Sequence, residues 1–246
     1  MLAAAMVVVA GCGSPSKPHL SALPPDASTV PATQPAATAP PSTDAPSNLF
    51  TVATARGSSV GVYDSTVQTE PTRSLASPQT DGSTLVLLVK EQKPDWYKVL
   101  LPVRPNGSTG WVKASEVTVA THDYRIEVQV SAHHLTVYKG NDVFLDETVA
   151  VGAPATPTAL GDFYTTGLIA VDPSQPFYGP YAYPLSGYSE VLFSFSGGEG
   201  QMGIHGTNDP SSLGRSVSNG CIRMSNAAIT KLAKALPAGV PVAIKA

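Results

Sequence analysis

Two residues near the C-terminal end of the chain can support nucleophilic chemistry. Cys221 follows Ser218-Asn219-Gly220, and His205 lies 16 positions earlier. A cysteine attacks as the thiolate, and its pKa is ordinarily about 8.5, so a nucleophilic cysteine needs an imidazole that takes its proton and returns it to the leaving amine. We therefore predict that Cys221 is the nucleophile of an acyl transfer and that His205 is its proton acceptor and donor. The alternative is a small buried hydrophobic residue, the usual role of a lone cysteine.

Two neighbours of Cys221 fit the same chemistry. Gly220 allows the backbone to bend tightly and to approach a substrate carbonyl, so that N–H groups of this loop stabilise an oxyanion. Arg223 lies two residues beyond Cys221, which in an extended chain places both side chains on one face. Its guanidinium can hold a substrate carboxylate, and an internal salt bridge that shapes the loop is an equally good interpretation.

Longer segments around these residues carry a family resemblance. Gly203-Ile204-His205-Gly206-Thr207-Asn208 and Ser218-Asn219-Gly220-Cys221-Ile222-Arg223-Met224 resemble the catalytic motifs of L,D-transpeptidases. Thr156-Pro157-Thr158, followed by Gly161 and Phe163, resembles the upstream signature of that family, and together the motifs cover about half of the chain. The sequence departs from the family at Asn219, where histidine is commonest. Because an amide cannot carry a proton at neutral pH, we assign Asn219 to substrate binding and not to catalysis.

The resemblance implies a reaction on cell-wall peptidoglycan. Cys221 would attack the carbonyl that joins diaminopimelate to the terminal D-Ala of a donor tetrapeptide stem, releasing D-Ala and leaving a thioester. An acceptor amine from a second stem would then resolve the thioester, without a metal or other cofactor. The resemblance also implies that the backbone carbonyl of Gly206 orients His205 and that carbapenems acylate Cys221. Two alternatives stay open: an L,D-carboxypeptidase, in which water resolves the thioester, and a non-catalytic peptidoglycan-binding lipoprotein.

A segment between these motifs, residues 176–183, is dense in aromatic residues and proline. Its position resembles the lid over the donor site of the family, so we predict that Tyr178 and Tyr181 contact the peptide stem and exclude water. A packed surface loop is an equally good alternative. We expect no metal site, because His133 and His134 are adjacent and would point to opposite faces of a strand, and the sequence has no H-E-x-x-H pattern.

The elements that must position these residues are mostly strands. Alternating apolar residues predict a strand over 125–130 and a last strand over 240–244, and a turn at 139–142 leads into a further strand over 143–151. Asn226 is predicted to cap the one helix, which Pro237 ends. The resemblance and these patterns together predict a mainly β, sandwich-like catalytic domain over residues 123–246 with one C-terminal helix.

Residues 48–120 are predicted to form a separate small β-barrel. The pieces Trp96-Tyr97-Lys98-Val99 and Gly110-Trp111-Val112 resemble the end of a bacterial SH3-like domain, and Asn106-Gly107 between them indicates a hairpin. We interpret Trp96 and Trp111 as core residues of the barrel in preference to a ligand groove.

The N-terminal segment resembles a lipoprotein signal. Residues 2–10 are apolar, too few to span a bilayer, and end in Val9-Ala10-Gly11-Cys12. The resemblance implies that residues 1–12 direct export, that Cys12 is lipidated, and that the protein is anchored to the outer face of the bacterial membrane, facing the wall. An apolar N-terminus with an incidental cysteine is the alternative. Residues 13–47, mostly Pro, Ala, Ser and Thr, are predicted to be a disordered linker.

Overall composition narrows the function classes. Only 13% of the residues are charged and the formal net charge is −3, so the chain lacks the dense positive charge that nucleic-acid binding requires. The 23 prolines and 21 glycines favour short strands and tight turns over a helical bundle. The two cysteines lie in segments of very different composition, and we do not expect them to form a disulfide.

Overall fold

The computed structural model describes residues 21–22, 49–194 and 198–246. Cys12 and most of the predicted linker lie outside these residues, and the predictions made for them stay predictions. The described part is mainly β and contains one α-helix, which confirms the predicted fold class. Across the same residues, no helix is both long enough and apolar enough to cross a membrane.

The first strands of the described chain are β1 (Ser21–Ala22), β2 (Phe50–Ala55), β3 (Ser59–Val62), β4 (Arg73–Ala76), β5 (Val86–Lys93), β6 (Trp96–Leu100), β7 (Thr109–Lys113) and β8 (Val117–His122). Five of them form the antiparallel sheet of the N-terminal part, in the order β7-β6-β5-β2-β8. Strands β3 and β4 pair with each other beside this sheet. The predicted hairpin is confirmed as β6 and β7, in which Tyr97 lies opposite Val112.

This N-terminal part has its own apolar core. Nine fully buried residues form it: Ala53, Val60, Val62, Leu85, Leu87, Val99, Leu101, Val112 and Val117. Burial of each larger aliphatic side chain contributes about 1.5 to 3 kcal/mol, which is enough to hold such short strands together. Trp111 is buried, and Trp96 is half-buried and packs edge-on against Tyr63 with ring centres 5.0 Å apart.

The strands of the C-terminal part are β9 (Tyr124–Gln129), β10 (His134–Lys139), β11 (Asp142–Thr148), β12 (Val151–Gly152), β13 (Gly161–Tyr164), β14 (Ile169–Ala170), β15 (Tyr181–Tyr188), β16 (Gln201–His205), β17 (Ser216–Ser218), β18 (Ile222–Arg223) and β19 (Pro241–Lys245). This part contains two five-stranded sheets with the orders β11-β10-β9-β19-β13 and β1-β14-β15-β16-β18, the second of which includes β1 from the start of the described chain. The predicted alternation is confirmed, since Ile126 and Val128 are buried. The last strand, β19, runs parallel to β9.

The helix α1 (Asn226–Ala233) packs Ile229 and Leu232 into the large C-terminal core. The predicted cap was wrong by one residue: the side chain of Ser225 accepts the N–H of Ala228 and caps the helix. Asn226 is therefore available for another contact, and its Oδ1 accepts the backbone N–H of Thr207 at 2.9 Å. The start of the helix is thus tied to the loop that follows β16.

The N-terminal and C-terminal parts pack directly against each other. Tyr164, fully buried on β13, belongs to an apolar cluster with Val52, Val86, Leu88 and Leu100 of the N-terminal sheet. Its hydroxyl donates a hydrogen bond to the Val86 carbonyl at 3.1 Å, so this buried polar group is satisfied across the junction.

Candidate active site

Strands β16 and β18 bring the predicted nucleophile and base together. They are neighbouring parallel strands in which Ile204 pairs with Ile222 and His205 pairs with Arg223, and Cys221 directly precedes β18. Ile204 and Ile222 are fully buried in the core. Because paired residues of neighbouring strands project to the same face, His205 and Arg223 lie side by side on the opposite face, and Cys221 comes to the same side.

These side chains border a small cleft that opens to solvent. Its lining residues are Phe177, Tyr178, Leu192, Gly200, Gln201, His205, Ser218, Asn219, Cys221 and Arg223. The structure thus brings together five residues that the sequence proposed for catalysis or substrate binding, from Tyr178 to Arg223. Tyr181 is elsewhere: it begins β15 and packs against the core, because the aromatic turn already ends at Gly179.

The imidazole of His205 is held in one tautomer. Its Nδ1 lies 2.6 Å from the Gly206 carbonyl oxygen, which can only accept, so Nδ1 carries the proton and Nε2 keeps its lone pair. The pKa of His205 is lowered to about 4, mainly by burial; the charge of the nearby Arg223 acts in the same direction, and the Gly206 hydrogen bond opposes both. At neutral pH the imidazole is therefore neutral and able to accept a proton.

The thiol of Cys221 is also neutral at rest. Burial raises its pKa, while a backbone hydrogen bond from Gly203 and the positive charge of Arg223 act in the opposite direction. The resting pair is therefore a thiol and a neutral imidazole, not a thiolate and an imidazolium. Proton transfer to the base then has to accompany attack, as in nucleophiles activated by a general base.

The loop before Cys221 is fixed by hydrogen bonds from both sides. Gly220 has φ +109°, a left-handed conformation that favours glycine. Its N–H donates to Ser218 Oγ at 3.1 Å, and this Oγ donates to the Cys221 carbonyl at 2.6 Å. The Gly220 carbonyl accepts a hydrogen bond from Thr158 Oγ1 at 3.0 Å.

The upstream signature supports this loop. The buried Thr158 hydroxyl also accepts the N–H of Gly152 at 2.8 Å, and Thr156 Oγ1 donates to the Ser218 carbonyl at 2.9 Å. Gly152 has no room for a side chain, because a Cβ would collide with the backbone of residues 156–158. These threonines were part of the predicted upstream motif, but their role in holding the Cys221 loop was not predicted from the sequence.

The aromatic turn at Pro176–Tyr178 lies over the cleft. The Tyr178 ring contacts the His205 ring edge-on, with centres 4.9 Å apart. The Phe177 ring lies 4.5 Å from the guanidinium carbon of Arg223. Both aromatic side chains therefore cover the polar groups of the site and limit their contact with water.

Arg223 is a buried cation without an acidic partner among the described residues. It is 8% exposed, its Nε has no hydrogen-bond partner within the described part of the chain, and none of the four ion pairs found there includes it. This contradicts the internal salt bridge as far as the structure is described. A buried charge is costly unless it is paired, so the guanidinium is placed to receive an anion from the cleft.

Five lining residues were missing from the sequence-based site. Ser218 lies in the motif around Cys221 but was given no role of its own. Phe177 lies within the predicted lid, so the aromatic density there was a usable signal. Leu192, Gly200 and Gln201 come from the stretch before β16 and its first residue, which carries no motif that we recognised. They line the same cleft as the Cys221 loop.

Comparison with known proteins identifies relatives of the C-terminal part. A family model described as the L,D-transpeptidase catalytic domain (YkuD) matches residues 123–244. The Bacillus subtilis protein YkuD, provisionally named an L,D-transpeptidase, is 34% identical over 151 residues, which cover 59% of this chain and 84% of that protein. The YkuD protein of Bacillus licheniformis, with the same provisional name, is 33% identical over 154 residues, which cover 60% and 85% of the two chains.

Solved structures with a similar chain course include an L,D-transpeptidase from Mycobacterium smegmatis. It is 14% identical, covers 65% of this chain and 90% of its own, and has a TM-score of 0.44. The catalytic domain of an E. faecium L,D-transpeptidase acylated by ertapenem is 24% identical, covers 50% of this chain and 97% of its own, and has a TM-score of 0.37.

Proposed function

Since the chain belongs to the L,D-transpeptidase family with a YkuD-type catalytic domain, we propose that it cross-links peptide stems of peptidoglycan through a thioester on Cys221. The observation that supports this proposal is the pairing of β16 with β18: Cys221 and His205 line one cleft, and Nδ1 of the neutral His205 is bound to the Gly206 carbonyl. A cysteine and a base arranged in this way can perform acyl transfer without a cofactor.

In the first half-reaction, His205 Nε2 takes the proton of the Cys221 thiol as Sγ attacks the carbonyl between diaminopimelate and the terminal D-Ala. The C–N bond breaks, the imidazolium returns the proton to the leaving amine, and D-Ala departs. The donor stem remains as a thioester on Sγ. We expect the transient oxyanion to be stabilised by backbone N–H groups of the loop that Gly220 shapes.

In the second half-reaction, an acceptor amine attacks the thioester and loses a proton to His205 Nε2. The C–S bond breaks, a new amide joins the two stems, and the proton returns to Sγ. The Nδ1–H of His205 stays on the Gly206 carbonyl throughout, so the same imidazole nitrogen serves both half-reactions.

We propose that Arg223 binds a carboxylate of the donor stem. The support is its burial, its lack of an acidic partner among the described residues, and its place beside Cys221. Tyr178, over the cleft, would contact the stem and exclude water from the thioester. Asn219 is exposed at the rim of the cleft, where its amide can hydrogen-bond the substrate.

The remaining predictions concern where the enzyme works. We propose that Cys12 carries a lipid anchor, that residues 13–47 are a spacer, and that residues 48–120 form an SH3-like domain. The catalytic cleft would then face the wall from the outer side of the membrane. Expression with a complete signal tests the anchor, since Cys12→Ser should release the protein from membranes or block its processing.

The reaction is tested with the purified protein and a disaccharide tetrapeptide. Mass spectrometry should detect free D-Ala, an acyl adduct on the peptide that contains Cys221, and dimers whose mass is that of two tetrapeptide units less one D-Ala. A product of tripeptide units alone would replace the transpeptidase with an L,D-carboxypeptidase. A folded protein that gives neither product would contradict both activities and favour a wall-binding role.

A carbapenem gives an independent test of the nucleophile. We expect one carbapenem per chain, attached to Cys221, because the thiol attacks the strained carbonyl as it would the donor. Peptide mapping should find no adduct in the Cys221→Ala variant. Prolonged exposure of the folded wild-type protein without an adduct would contradict an active thiol.

A further inference from the structure

One arginine of the N-terminal part binds a stretch of chain that lines the same cleft as the Cys221 loop. Arg104 is in the connection between β6 and β7, outside the segment that matches the family model. Its Nη1 donates to the Ser189 carbonyl at 2.7 Å, and its Nη2 donates to the carbonyls of Leu192 and Glu199 at 3.1 and 2.9 Å. One planar guanidinium therefore joins both ends of the stretch that connects β15 to β16.

Aromatic contacts and a second hydrogen-bonded pair strengthen this attachment. The guanidinium carbon lies 5.0 Å from the ring centre of Tyr188 and 4.7 Å from that of Phe193, within the range of cation–π attraction. Asn106, two residues after Arg104, exchanges both hydrogen bonds with the Tyr188 backbone: its Nδ2 donates to the carbonyl at 2.8 Å, and its Oδ1 accepts the N–H at 2.9 Å.

The stretch held by Arg104 is part of the active site. Leu192 and Gly200, both in this stretch, line the cleft together with Cys221. Gly200 has φ +73°, and a Cβ there would collide with the Leu192 carbonyl oxygen, which accepts from Arg104. The two ends of the stretch thus meet where the guanidinium binds, so the position of Leu192 depends on Arg104.

We propose that Arg104 is a positioning residue for the acyl-transfer site: it fixes the Leu192 wall against which the donor stem binds. The identity of the donor rests on the proposed function. The attachment of Arg104 to the stretch between β15 and β16 rests only on the observed hydrogen bonds. It follows that the N-terminal part completes the catalytic cleft, in addition to any role that this part has in binding peptidoglycan.

The test compares two reagents of different size in the Arg104→Ala variant of the full chain. Iodoacetamide is small and reports the reactivity of Cys221, whereas a carbapenem also has to fit the cleft. We expect the second-order rate constant for carbapenem acylation to fall about tenfold, because the stretch that holds Leu192 loses three hydrogen bonds from a charged group. The rate of iodoacetamide alkylation and its pH profile should stay within about twofold of wild type, because the hydrogen bonds of Arg104 go to Ser189, Leu192 and Glu199 and not to Cys221 or His205.

Two further variants serve as matched controls. Arg56 also donates from its guanidinium to a carbonyl, that of Val117 at 2.7 Å, but both residues lie within the N-terminal part and away from the cleft. Arg56→Ala should leave carbapenem acylation within about twofold of wild type. Arg104→Lys keeps the charge without the planar fork and should lose nearly as much acylation as Arg104→Ala.

Several outcomes would overturn the inference. Carbapenem acylation of a folded Arg104→Ala protein at the wild-type rate is one, an equal loss in Arg56→Ala is another, and full recovery in Arg104→Lys is a third. If Arg104→Ala does not fold, Asn106→Ala takes its place and should show a smaller loss of acylation with unchanged alkylation. An Asn106→Ala protein with normal acylation would then count against the attachment.

Hydrogen exchange separates this inference from the proposed function. Amides of residues 189–194 and 198–200 should exchange faster in Arg104→Ala than in wild type and unchanged in Arg56→Ala, whether or not the protein is acylated. Equal exchange in wild type and Arg104→Ala would overturn the attachment. A wild-type protein that no carbapenem acylates would instead contradict the proposed function.

Discussion

The two sides of the cleft are held in different ways. On the Cys221 side, hydrogen bonds from Thr158 and Ser218 fix the loop, and all of these residues belong to the segment that matches the family. On the Leu192 side, the hydrogen bonds come from Arg104, which is 85 to 95 residues away in sequence from the carbonyls that it binds. Reactivity and substrate positioning therefore depend on separate sets of residues, so mutations should affect them separately.

Removing the nucleophile should have the largest effect. Cys221→Ala is expected to abolish all acyl transfer and all acylation by carbapenems, because Cys221 is the only thiol among the described residues that line the cleft. The fold should be nearly unchanged, since the substitution is small and the residue is partly exposed. Product analysis and a thermal unfolding curve check the two halves of this prediction, and cross-linking by the folded variant would remove Cys221 from the mechanism.

Removing the base should slow acylation by about 10² to 10⁴-fold, the usual contribution of a general acid–base residue. In His205→Ala the thiol keeps its raised pKa and loses its proton acceptor, so both the carbapenem and iodoacetamide should react slowly. This is the opposite of Arg104→Ala, in which only the larger reagent is affected. Acylation at the wild-type rate across neutral pH would assign His205 another role.

Loosening the Cys221 loop should have an intermediate effect. Thr158→Val keeps the shape but leaves the Gly152 N–H and the Gly220 carbonyl without the threonine hydroxyl. We expect a loss of about 1 to 3 kcal/mol of unfolding free energy and a decrease of roughly tenfold in both alkylation and acylation. Thr166→Val, which removes a hydroxyl bond to the Pro184 carbonyl, is the matched control. Slower acylation with normal alkylation in Thr158→Val would contradict the difference between the two sides, because this variant would then behave like Arg104→Ala.

Acid should destabilise the protein through the buried base. The pKa of His205 is about 4 in the folded state and near 6.5 in an unfolded chain, so between these values the unfolded chain binds more protons. The free energy of unfolding should therefore fall as the pH drops from 6.5 to 4, by up to about 3 kcal/mol from this residue.

Urea unfolding at several pH values, compared with His205→Gln, measures this contribution. The variant should lose less stability in acid than wild type does. The comparison between the two proteins cancels the contribution of His122, whose pKa burial also lowers. Identical pH dependence of the two proteins would show that His205 is not the titrating group.

The residues on the Cys221 side of the cleft could be singled out from the sequence because they lie close together in the chain. Cys221, Asn219 and Arg223 fall within five consecutive positions, and one strand pairing brings His205 to them. Tyr181 was assigned to the lid with Tyr178, but the turn ends at Gly179 and Tyr181 begins a strand. Ser225 and Asn226 are both good caps, and only the contact of Asn226 with Thr207 shows which of them caps the helix.

The other side of the cleft could not be predicted from sequence. Arg104 binds backbone carbonyls, which every residue has, so nothing in the residue types at 189, 192 or 199 indicates a guanidinium partner. The long separation in sequence also removes any periodic or motif-like signal. The boundary between the two parts was predicted from composition and motifs. The hydrogen bonds that Arg104 makes across it are seen only in the folded structure.

The use of backbone carbonyls by Arg104 has an evolutionary consequence. Side chains between 189 and 194, apart from the ring of Phe193 that contacts the guanidinium, can change without weakening the three hydrogen bonds. Leu192 and its neighbours can therefore be replaced by other residues while Arg104 keeps its hydrogen bonds to the backbone of this stretch. Selection could retune which substrates the cleft accepts while the residues around Cys221 and the junction between the two parts stay as they are.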